Sequence, residues 1–426
     1  MLRLLPALAL LGLASCGSSA PKSAAPAPIP DPPPAADPGW NQFRGPTGMG
    51  LVLDGAEYPR EWDAASGKNI LWKIPLDAFG YSSPIVRGGR VYLTGEKDGL
   101  GLLMAFDAAT GAPLWNLPGA EKPDGEGDPR DGMSSGLCAS TPATDGSRVF
   151  ALFSTADLLC ADPDGRVLWK KNLGAPENAY GLASSPVLWK DKLLIQFDRG
   201  NRMDGGSELL ALRPETGEVL WSAPRPVPNS WSTPLVVSWE GRDLLVTCAN
   251  PYVIAYDPAG GRELWRAKGL AGDVAPMPVF AAGLVFAATA DSRLFAIRAG
   301  GSGDVTASGI AWTGDAGMPS MASPLTDGTR LLLCEAGELT CLEVRTGKLL
   351  WTAAAGEAYW ASPVLAGRAV YLPEKSGRTF VFELGDAWRP GSEGNIGEAL
   401  AASPAFHAGR IYLRGEQRLY CVGRAK

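Results

Sequence analysis

One short pattern of residues recurs eight times along the chain, and this repetition limits the possible folds more than any other feature. In every copy a dipeptide ending in proline opens an apolar run, and successive prolines lie 39 to 58 residues apart. These prolines are Pro84, Pro142, Pro186, Pro234, Pro278, Pro324, Pro363 and Pro404. A repeat of this length is one small structural unit that needs its neighbours to bury its apolar surface.

Each copy predicts four short β-strands. In the copy that opens at Pro234, apolar runs occupy residues 233–237, 244–246, 253–256 and 263–265, with turn-forming residues between them. One such sheet cannot cover both of its faces, so neighbouring sheets must stack, and a ring of sheets leaves no long edge exposed. The sequence therefore predicts an all-β fold, an eight-bladed β-propeller of four-stranded antiparallel blades.

A second series of residues predicts how the ring closes. Every copy but the last contains a tryptophan after its third run, and one tryptophan precedes the first copy. The series is Trp72, Trp115, Trp169, Trp221, Trp265, Trp312, Trp351 and Trp388. Because the last copy ends at residues 419–422 without a tryptophan, we expect residues 69–73 to supply the outer strand of the last blade.

The N-terminus predicts a lipid anchor. Arg3 precedes an apolar run over residues 4–13, which is too short to span a bilayer, and small residues then lead to Cys16. This resembles the bacterial lipobox, which implies that residues 1–16 are a lipoprotein signal with Cys16 as the lipid-bearing residue; the alternative is an ordinary secretory signal. Residues 17–39, rich in Ala, Pro and Ser, predict an extended tether, and residues 40–426 a single propeller domain. Lipoproteins retained in the inner membrane carry an Asp after the cysteine, so the resemblance, with Gly17 in that place, implies the outer membrane.

The turn before each tryptophan resembles a known repeat. Residues 105–115 read AFDAATGAPLW, and residues 211–221 and 255–265 match them well, whereas 296–312 and 382–388 are degenerate. The pattern A-x-D-x-x-T-G followed by W resembles the PQQ-type repeat over about residues 40–422. That resemblance implies that the Asp and Thr-Gly turn joins the third and fourth strands and that the tryptophan docks between blades.

Two functions follow from the resemblance. Quinoprotein dehydrogenases bind pyrroloquinoline quinone and calcium, whereas the lipoprotein of the outer-membrane β-barrel assembly machinery (BamB-like) is a scaffold. The chain is shorter than most of these dehydrogenases, has no two adjacent cysteines and has one histidine, His407. We therefore predict a monomeric, non-catalytic scaffold or binding propeller that faces the periplasm, binds envelope proteins, and uses no catalytic residue, cofactor or metal. A PQQ-dependent dehydrogenase is the alternative.

Loop length predicts the binding face. Connections between blades, and those between second and third strands, emerge on one face, here called the loop-rich face, which includes residues 118–137, 198–207 and 389–400. Large apolar residues stand three positions before four of the prolines: Tyr81, Trp231, Met321 and Trp360. We expect them to surround the channel mouth and to bind a planar ligand or a peptide. The alternative is that they fill gaps between blades.

Charge and cysteine spacing exclude other classes. The net charge of −6, without a long run of either sign, argues against a nucleic-acid partner. The six cysteines after Cys16 lack metal-ligand spacing, and we favour free, buried thiols. A two-residue turn at residues 337–338 would place Cys334 directly opposite Cys341. Residues 40–50 contain G-P-x-G-x-G without the lysine of a phosphate loop, and we expect them to pack across one blade.

Overall fold

The computed structural model describes residues 39–123, 135–178, 180–201, 203 and 206–424. These residues form strands and turns, and none forms a helix that is long and apolar enough to cross a membrane. The predicted signal segment, Cys16 and all but the last residue of the predicted tether lie outside the described residues.

The described strands form eight sheets, each with four main antiparallel strands, which are paired in sequence order in sheets 1 to 7, so the predicted antiparallel units are confirmed. Sheet 1 consists of Ile85–Arg87, Arg90–Lys97, Leu100–Asp107 and Pro113–Glu121, and sheet 2 of Ala143–Thr144, Val149–Leu152, Asp157–Ala161 and Val167–Asn172. Sheet 3 consists of Val187–Trp189, Lys192–Phe197, Ser207–Leu212 and Val219–Arg225. Sheet 4 consists of Leu235–Trp239, Arg242–Ala249, Tyr252–Tyr256 and Glu263–Lys268. Sheet 5 consists of Val279–Ala281, Leu284–Ala287, Leu294–Arg298 and Ile310–Gly314. Sheet 6 consists of Leu325–Thr326, Arg330–Glu335, Glu338–Glu343 and Leu349–Ala354. Sheet 7 consists of Val364–Ala366, Ala369–Pro373, Arg378–Glu383 and Ser392–Asn395.

Sheet 8 contains strands from both ends of the chain. Ala405–His407, Arg410–Arg414 and Arg418–Val422 are its first three strands, and Ile70–Pro75 pairs antiparallel with the third, with Trp72 opposite Cys421. Two sheets gain short parallel strands. Leu51–Val52 and Trp62–Asp63 flank sheet 7, and Gly303–Asp304 adds to the edge of sheet 4. The N-terminal segment therefore joins the last two sheets.

The outer strand of sheet 7 differs from the prediction. Trp388 lies in a loop, packed on Phe382 with ring centroids 4.8 Å apart, and Ser392–Asn395 forms the strand. Residues 389–400 are therefore not simply a loop extension. Trp62 packs beside this strand: a Cβ on Gly394 would lie 2.0 Å from its indole, and its ring stacks on Tyr371 at 6.5 Å. The N-terminal segment thus supplies a docking tryptophan that the repeat itself lacks.

The predicted register of the hairpin in sheet 6, with Cys334 opposite Cys341, is also wrong. Cys334 is opposite Leu339 and Cys341 is opposite Leu332. The turn lies at Ala336 and Gly337, which both have positive φ as a type I′ turn requires, so the register differs by two residues from the prediction. All six cysteines of the described residues are free and buried.

The repeat motif explains how neighbouring sheets pack. An indole N–H donates to a carbonyl oxygen at the third turn of the next sheet, as from Trp115 to Pro163 at 3.0 Å and from Trp312 to Val344 at 3.0 Å. The turn glycine lies against the same indole. At Gly111, with φ at 77°, a Cβ would lie 2.7 Å from Trp72, so only glycine fits there. The tryptophan and the Thr-Gly turn are therefore two halves of one contact.

Residues 39–52, here called the strap, lie across the first strands of many sheets. Trp40 exchanges backbone hydrogen bonds of 2.8 Å with Val86 of sheet 1, and the Gly50 carbonyl accepts a 2.8 Å bond from Leu365 of sheet 7. Sheet 3 is joined through Gln42, whose side-chain oxygen accepts from the Leu188 N–H at 3.0 Å. The expectation that these residues pack across one blade is wrong, because they bridge sheets that are far apart in sequence.

Candidate functional site

The predicted mouth residues surround one cavity. All eight positions that lie three residues before the repeat prolines line a cavity of 450 Å³, here called the mouth cavity. They are Tyr81, Ala139, Ala183, Trp231, Ala275, Met321, Trp360 and Ala401. The structure therefore brings Tyr81, Trp231, Met321 and Trp360 together. Their placement results from the repeat, because each precedes the first strand of a different sheet.

A layer of hydroxyl groups lines the cavity below these residues. The residue before seven of the eight prolines accepts, through its side-chain oxygen, a hydrogen bond from the backbone N–H of the corresponding residue in the preceding sheet. These bonds run from Ser83 to Thr141, Thr141 to Ser185, Ser185 to Thr233, Met277 to Ser323, Ser323 to Ser362, Ser362 to Ser403, and Ser403 to Ser83, at 2.8 to 3.0 Å. Sequence reasoning used these dipeptides as a repeat marker and missed this role, although the hydroxyl before seven of the eight prolines was a visible signal.

The hydroxyl series is interrupted between sheets 4 and 5, where Met277 stands in the place of a serine or threonine. There the two sheets are joined differently: the Trp231 N–H donates to the Val274 carbonyl at 2.9 Å, and the Ser232 hydroxyl donates to the Pro276 carbonyl at 3.0 Å. Trp231 is a lining residue, and these two bonds join the backbone that carries it to the next sheet. This aromatic side chain is therefore presented from a fixed position.

Two pairs of aromatic rings line the cavity. Tyr81 and Trp360 meet edge to face with centroids 6.1 Å apart, and Tyr180 and Trp231 lie 5.2 Å apart. Trp360 and Tyr81 precede sheets 7 and 1, whereas Trp231 precedes sheet 4, so the pairs occupy different sides of the lining. Tyr180 was missed because it lies in a connection outside the repeat position. Trp360, Tyr180 and Met321 are 38%, 45% and 47% exposed, so solvent reaches three large apolar groups of this lining.

The electrostatic lining of the cavity is sparse. Among its lining residues within the described chain, Asp273 is the one charged side chain, and it forms no hydrogen bond or ion pair with the other described side chains. Burial, and to a smaller extent the charge of Glu416, raises the pKa of Tyr81. Outside the lining, the Lys375 ammonium lies 3.7 Å from the centroid of the Trp360 ring. The described lining is thus largely aromatic and apolar, with one exposed carboxylate that has no partner among the described side chains.

The strap contributes the opposite boundary of the cavity. Phe43 is among the lining residues, and the next residue, Arg44, is buried. Its guanidinium donates to the carbonyl oxygens of Met49 at 3.1 Å and Pro324 at 2.6 Å. Burial lowers the pKa of Arg44 to about 9 because no carboxylate compensates the charge. The strap is therefore fixed by buried hydrogen bonds where it meets the cavity.

These residues do not fit pyrroloquinoline quinone with calcium. Holding the carboxylates of the cofactor requires convergent cations, and calcium takes about six to eight oxygen ligands. The described lining contains no basic residue and one carboxylate, and no three His, Cys, Asp or Glu side chains of the described chain cluster as metal ligands do. What the cavity offers instead is aromatic contact area at a rim that solvent can reach.

Comparison with known families agrees with the repeat architecture. The family profile described as outer membrane protein assembly factor BamB matches residues 51–202 and 205–426. The chain belongs to this family. Among solved structures, BamB from Moraxella catarrhalis superposes with a TM-score of 0.59 at 14% identity, covering 83% of this chain and 97% of that one. The fold is thus a PQQ-like β-propeller, as predicted.

Quinoprotein enzymes share the fold as well. Quinohemoprotein alcohol dehydrogenase from Comamonas testosteroni superposes with a TM-score of 0.67 at 14% identity over 92% of this chain and 82% of that one. In sequence, quinoprotein alcohol dehydrogenase PedH of Pseudomonas putida is 28% identical over 185 residues, which cover 41% of this chain and 29% of the enzyme. The chain therefore matches less than a third of the length of this curated relative.

Proposed function

We propose that the protein is a non-catalytic binding scaffold of the bacterial cell envelope, whose loop-rich face binds a partner in outer-membrane protein assembly. Membership of the BamB family supports the setting, and the mouth cavity carries the binding role. Exposed aromatic side chains at the centre of one face supply large contact area at low cost in conformational entropy. The partner expected from this reading is the β-barrel assembly machinery.

The same proposal includes eight blades in a closed ring. It is supported by the hydroxyl series, which leads from Ser403 back to Ser83, and by sheet 8, which contains strands from both chain ends. Trp72→Ala is expected to lower the free energy of unfolding by about 3–5 kcal/mol. Hydrogen exchange should then accelerate in residues 404–422. Acceleration confined to residues 84–115 would contradict this closure.

A lipid anchor on Cys16 completes the proposed setting, with the propeller facing the periplasm from the outer membrane. The tether between the anchor and the first strap residue would hold the loop-rich face away from the bilayer. Mass spectrometry of the mature protein from envelopes is expected to find a lipid-modified Cys16 at its N-terminus. An unmodified Cys16, or cleavage at another bond, would remove the anchor from the proposal while leaving the binding role untouched.

Affinity capture from cross-linked envelopes tests the binding role. The intact protein is expected to capture outer-membrane assembly proteins, and the double variant Trp231→Ala with Trp360→Ala is expected to lose them. Trp189→Ala is the matched control, because Trp189 lies at a short turn of sheet 3 with the Lys190 ammonium 4.4 Å from its ring centroid. Undiminished capture by the double variant would contradict a role for the mouth cavity.

A PQQ-dependent dehydrogenase is the second candidate, favoured by the 28% identity with quinoprotein alcohol dehydrogenase PedH. It is tested by adding pyrroloquinoline quinone and calcium to the purified protein and measuring cofactor binding and alcohol-dependent dye reduction. The scaffold proposal predicts neither. Stoichiometric binding with turnover would replace the scaffold by the enzyme.

A further inference from the structure

We propose that the mouth cavity binds a basic side chain, with arginine preferred, from an extended segment of the partner protein. This inference rests on the proposed binding function and adds the chemistry of the residue that enters the cavity. It follows from three observations: the aromatic pairs, the uncompensated carboxylate of Asp273 and the boundary formed by the strap.

The aromatic pairs select for a cation. Aromatic ring faces are negative, and a cation within about 6 Å of a ring centroid is attracted to them. The molecule already contains one instance, since the Lys375 ammonium lies 3.7 Å from the centroid of Trp360. Trp231, paired with Tyr180 on another side of the lining, has no such cation among the described residues. The cavity thus has a second aromatic pair over which no cation of the described residues lies.

Asp273 gives the cavity its charge preference. An anionic group would enter beside a carboxylate that has no ion-pair partner and no basic lining residue near it among the described residues, whereas a cation would gain a partner. A guanidinium also stacks flat on aromatic rings and offers paired donors to a carboxylate, which an ammonium does not. Arginine is therefore the side chain that uses both the rings and Asp273.

The shape of the cavity favours a side chain over a whole polypeptide passing through. Its volume of 450 Å³ accommodates a long side chain with a few waters, and Phe43 of the strap bounds it. Backbone hydrogen bonds of the strap to Val86 and Leu365 hold that boundary in place. The backbone of the entering segment would remain at the rim, near Met321, where solvent can reach the exposed apolar groups.

Binding of short capped peptides to the full-length protein tests this inference. The probes are Gly/Ser octapeptides with arginine, citrulline, leucine or glutamate at the fourth position, titrated by calorimetry. Citrulline keeps the shape of arginine and removes its charge. We expect the arginine peptide to bind about 10-fold more tightly than the citrulline peptide, and the glutamate peptide to bind least. Equal binding of the arginine, citrulline and leucine peptides, or no binding of any, would overturn the inference.

Two exposed charges provide opposite controls. Asp273→Asn is expected to reduce the arginine preference about 3- to 10-fold, whereas Lys375→Gln, which removes a competing cation, is expected to increase it. Arginine binding that neither substitution changes would overturn the assignment. If envelope capture depends on Trp231 and Trp360 while the peptides show no arginine preference, this inference fails and the proposed binding function stands. If capture does not depend on Trp231 and Trp360 and the peptides show no arginine preference, both the proposed binding function and this inference are rejected.

Discussion

The two boundaries of the mouth cavity are built in contrasting ways. On the strap side, Trp40 is 2% exposed, and backbone hydrogen bonds tie the strap to several sheets. At the rim, Trp360 and Met321 are 38% and 47% exposed, and Asp273 has no hydrogen-bond or ion-pair partner among the described residues. The strap contributes stability, whereas the rim keeps apolar surface that folding did not bury. Contiguous exposed apolar surface often marks an interaction site, and this is the physical basis of the binding role proposed for the rim.

The largest expected difference between the two regions is in stability. Trp40→Ala should lower the free energy of unfolding by about 3–5 kcal/mol, because it removes a buried indole packed against Phe406 with centroids 5.8 Å apart. Trp360→Ala, its counterpart at the rim, should cost less than about 1 kcal/mol. Denaturant unfolding monitored by circular dichroism measures both. Equal losses would mean that the rim is part of the core and would weaken the comparison.

A glycine in the strap sharpens the same contrast. Gly45 has φ at 76°, and a Cβ there would lie 2.8 Å from the Trp40 ring, so Gly45→Ala should cost about 2–4 kcal/mol from backbone strain and overpacking together. Gly367→Ala is the control, because Gly367 has φ at 61° but no atom within 4 Å of its Cβ position. It should cost only about 1–2 kcal/mol. If both variants lose the same stability, the contact between Gly45 and Trp40 is not tight.

The repeat architecture could be predicted from the sequence, because each sheet has its own copy of the same signals. Spaced prolines mark the first strands, and Thr-Gly turns with tryptophans mark the last ones. The same regularity predicted that Tyr81, Trp231, Met321 and Trp360 would share one location. Where the repeat is irregular the prediction was wrong. Trp388 is the tryptophan expected in the outer strand of sheet 7, but that strand begins after it, at Ser392. Trp62 packs against the strand instead.

Contacts between segments far apart in sequence could not be predicted. Tyr180 lies in the connection between sheets 2 and 3, and such connections differ in length from one pair of sheets to the next. The strap contains no repeat, so its register against the sheets could not be predicted. Its path depends on Gln42 and Arg44 meeting backbone groups of sheets 3 and 6. The register of the hairpin at Ala336 depends on which two residues adopt positive φ, and the sequence allowed two choices.

The stability at alkaline pH tests whether solvent reaches from the rim into the interior. Cys138 is next to a lining residue, yet burial raises the pKa of its thiol from 9.0 to about 12, with a smaller opposing effect from Arg414. Between these values the unfolded chain releases a proton that the folded protein keeps. The free energy of unfolding should therefore fall by about 1.4 kcal/mol per pH unit for this thiol as pH rises from 9 to 12.

Cys138→Ala isolates this contribution. The free energy of unfolding of both proteins is measured in urea between pH 9 and 11. It should fall with rising pH in both, and the slope for the variant should be smaller than that for the parent protein by about 1.4 kcal/mol per pH unit. Contributions from tyrosine, lysine and the other thiols cancel in the difference. Parallel pH profiles would mean that solvent reaches Cys138 from the rim, so that the exposed layer is deeper than the lining residues.

The smallest expected effect concerns the rim itself. Met321→Ser and Asp273→Asn should each change the free energy of unfolding by less than about 0.5 kcal/mol, because Met321 is 47% exposed and Asp273 is exposed and forms no hydrogen bond or ion pair with the described side chains. Both variants should nevertheless weaken envelope capture, since serine removes apolar contact area and asparagine removes the charge. Thermal unfolding and capture are measured on the same preparations. A rim substitution that destabilises the protein and leaves capture intact would assign these side chains to packing between blades, which was the alternative that the repeat position left open.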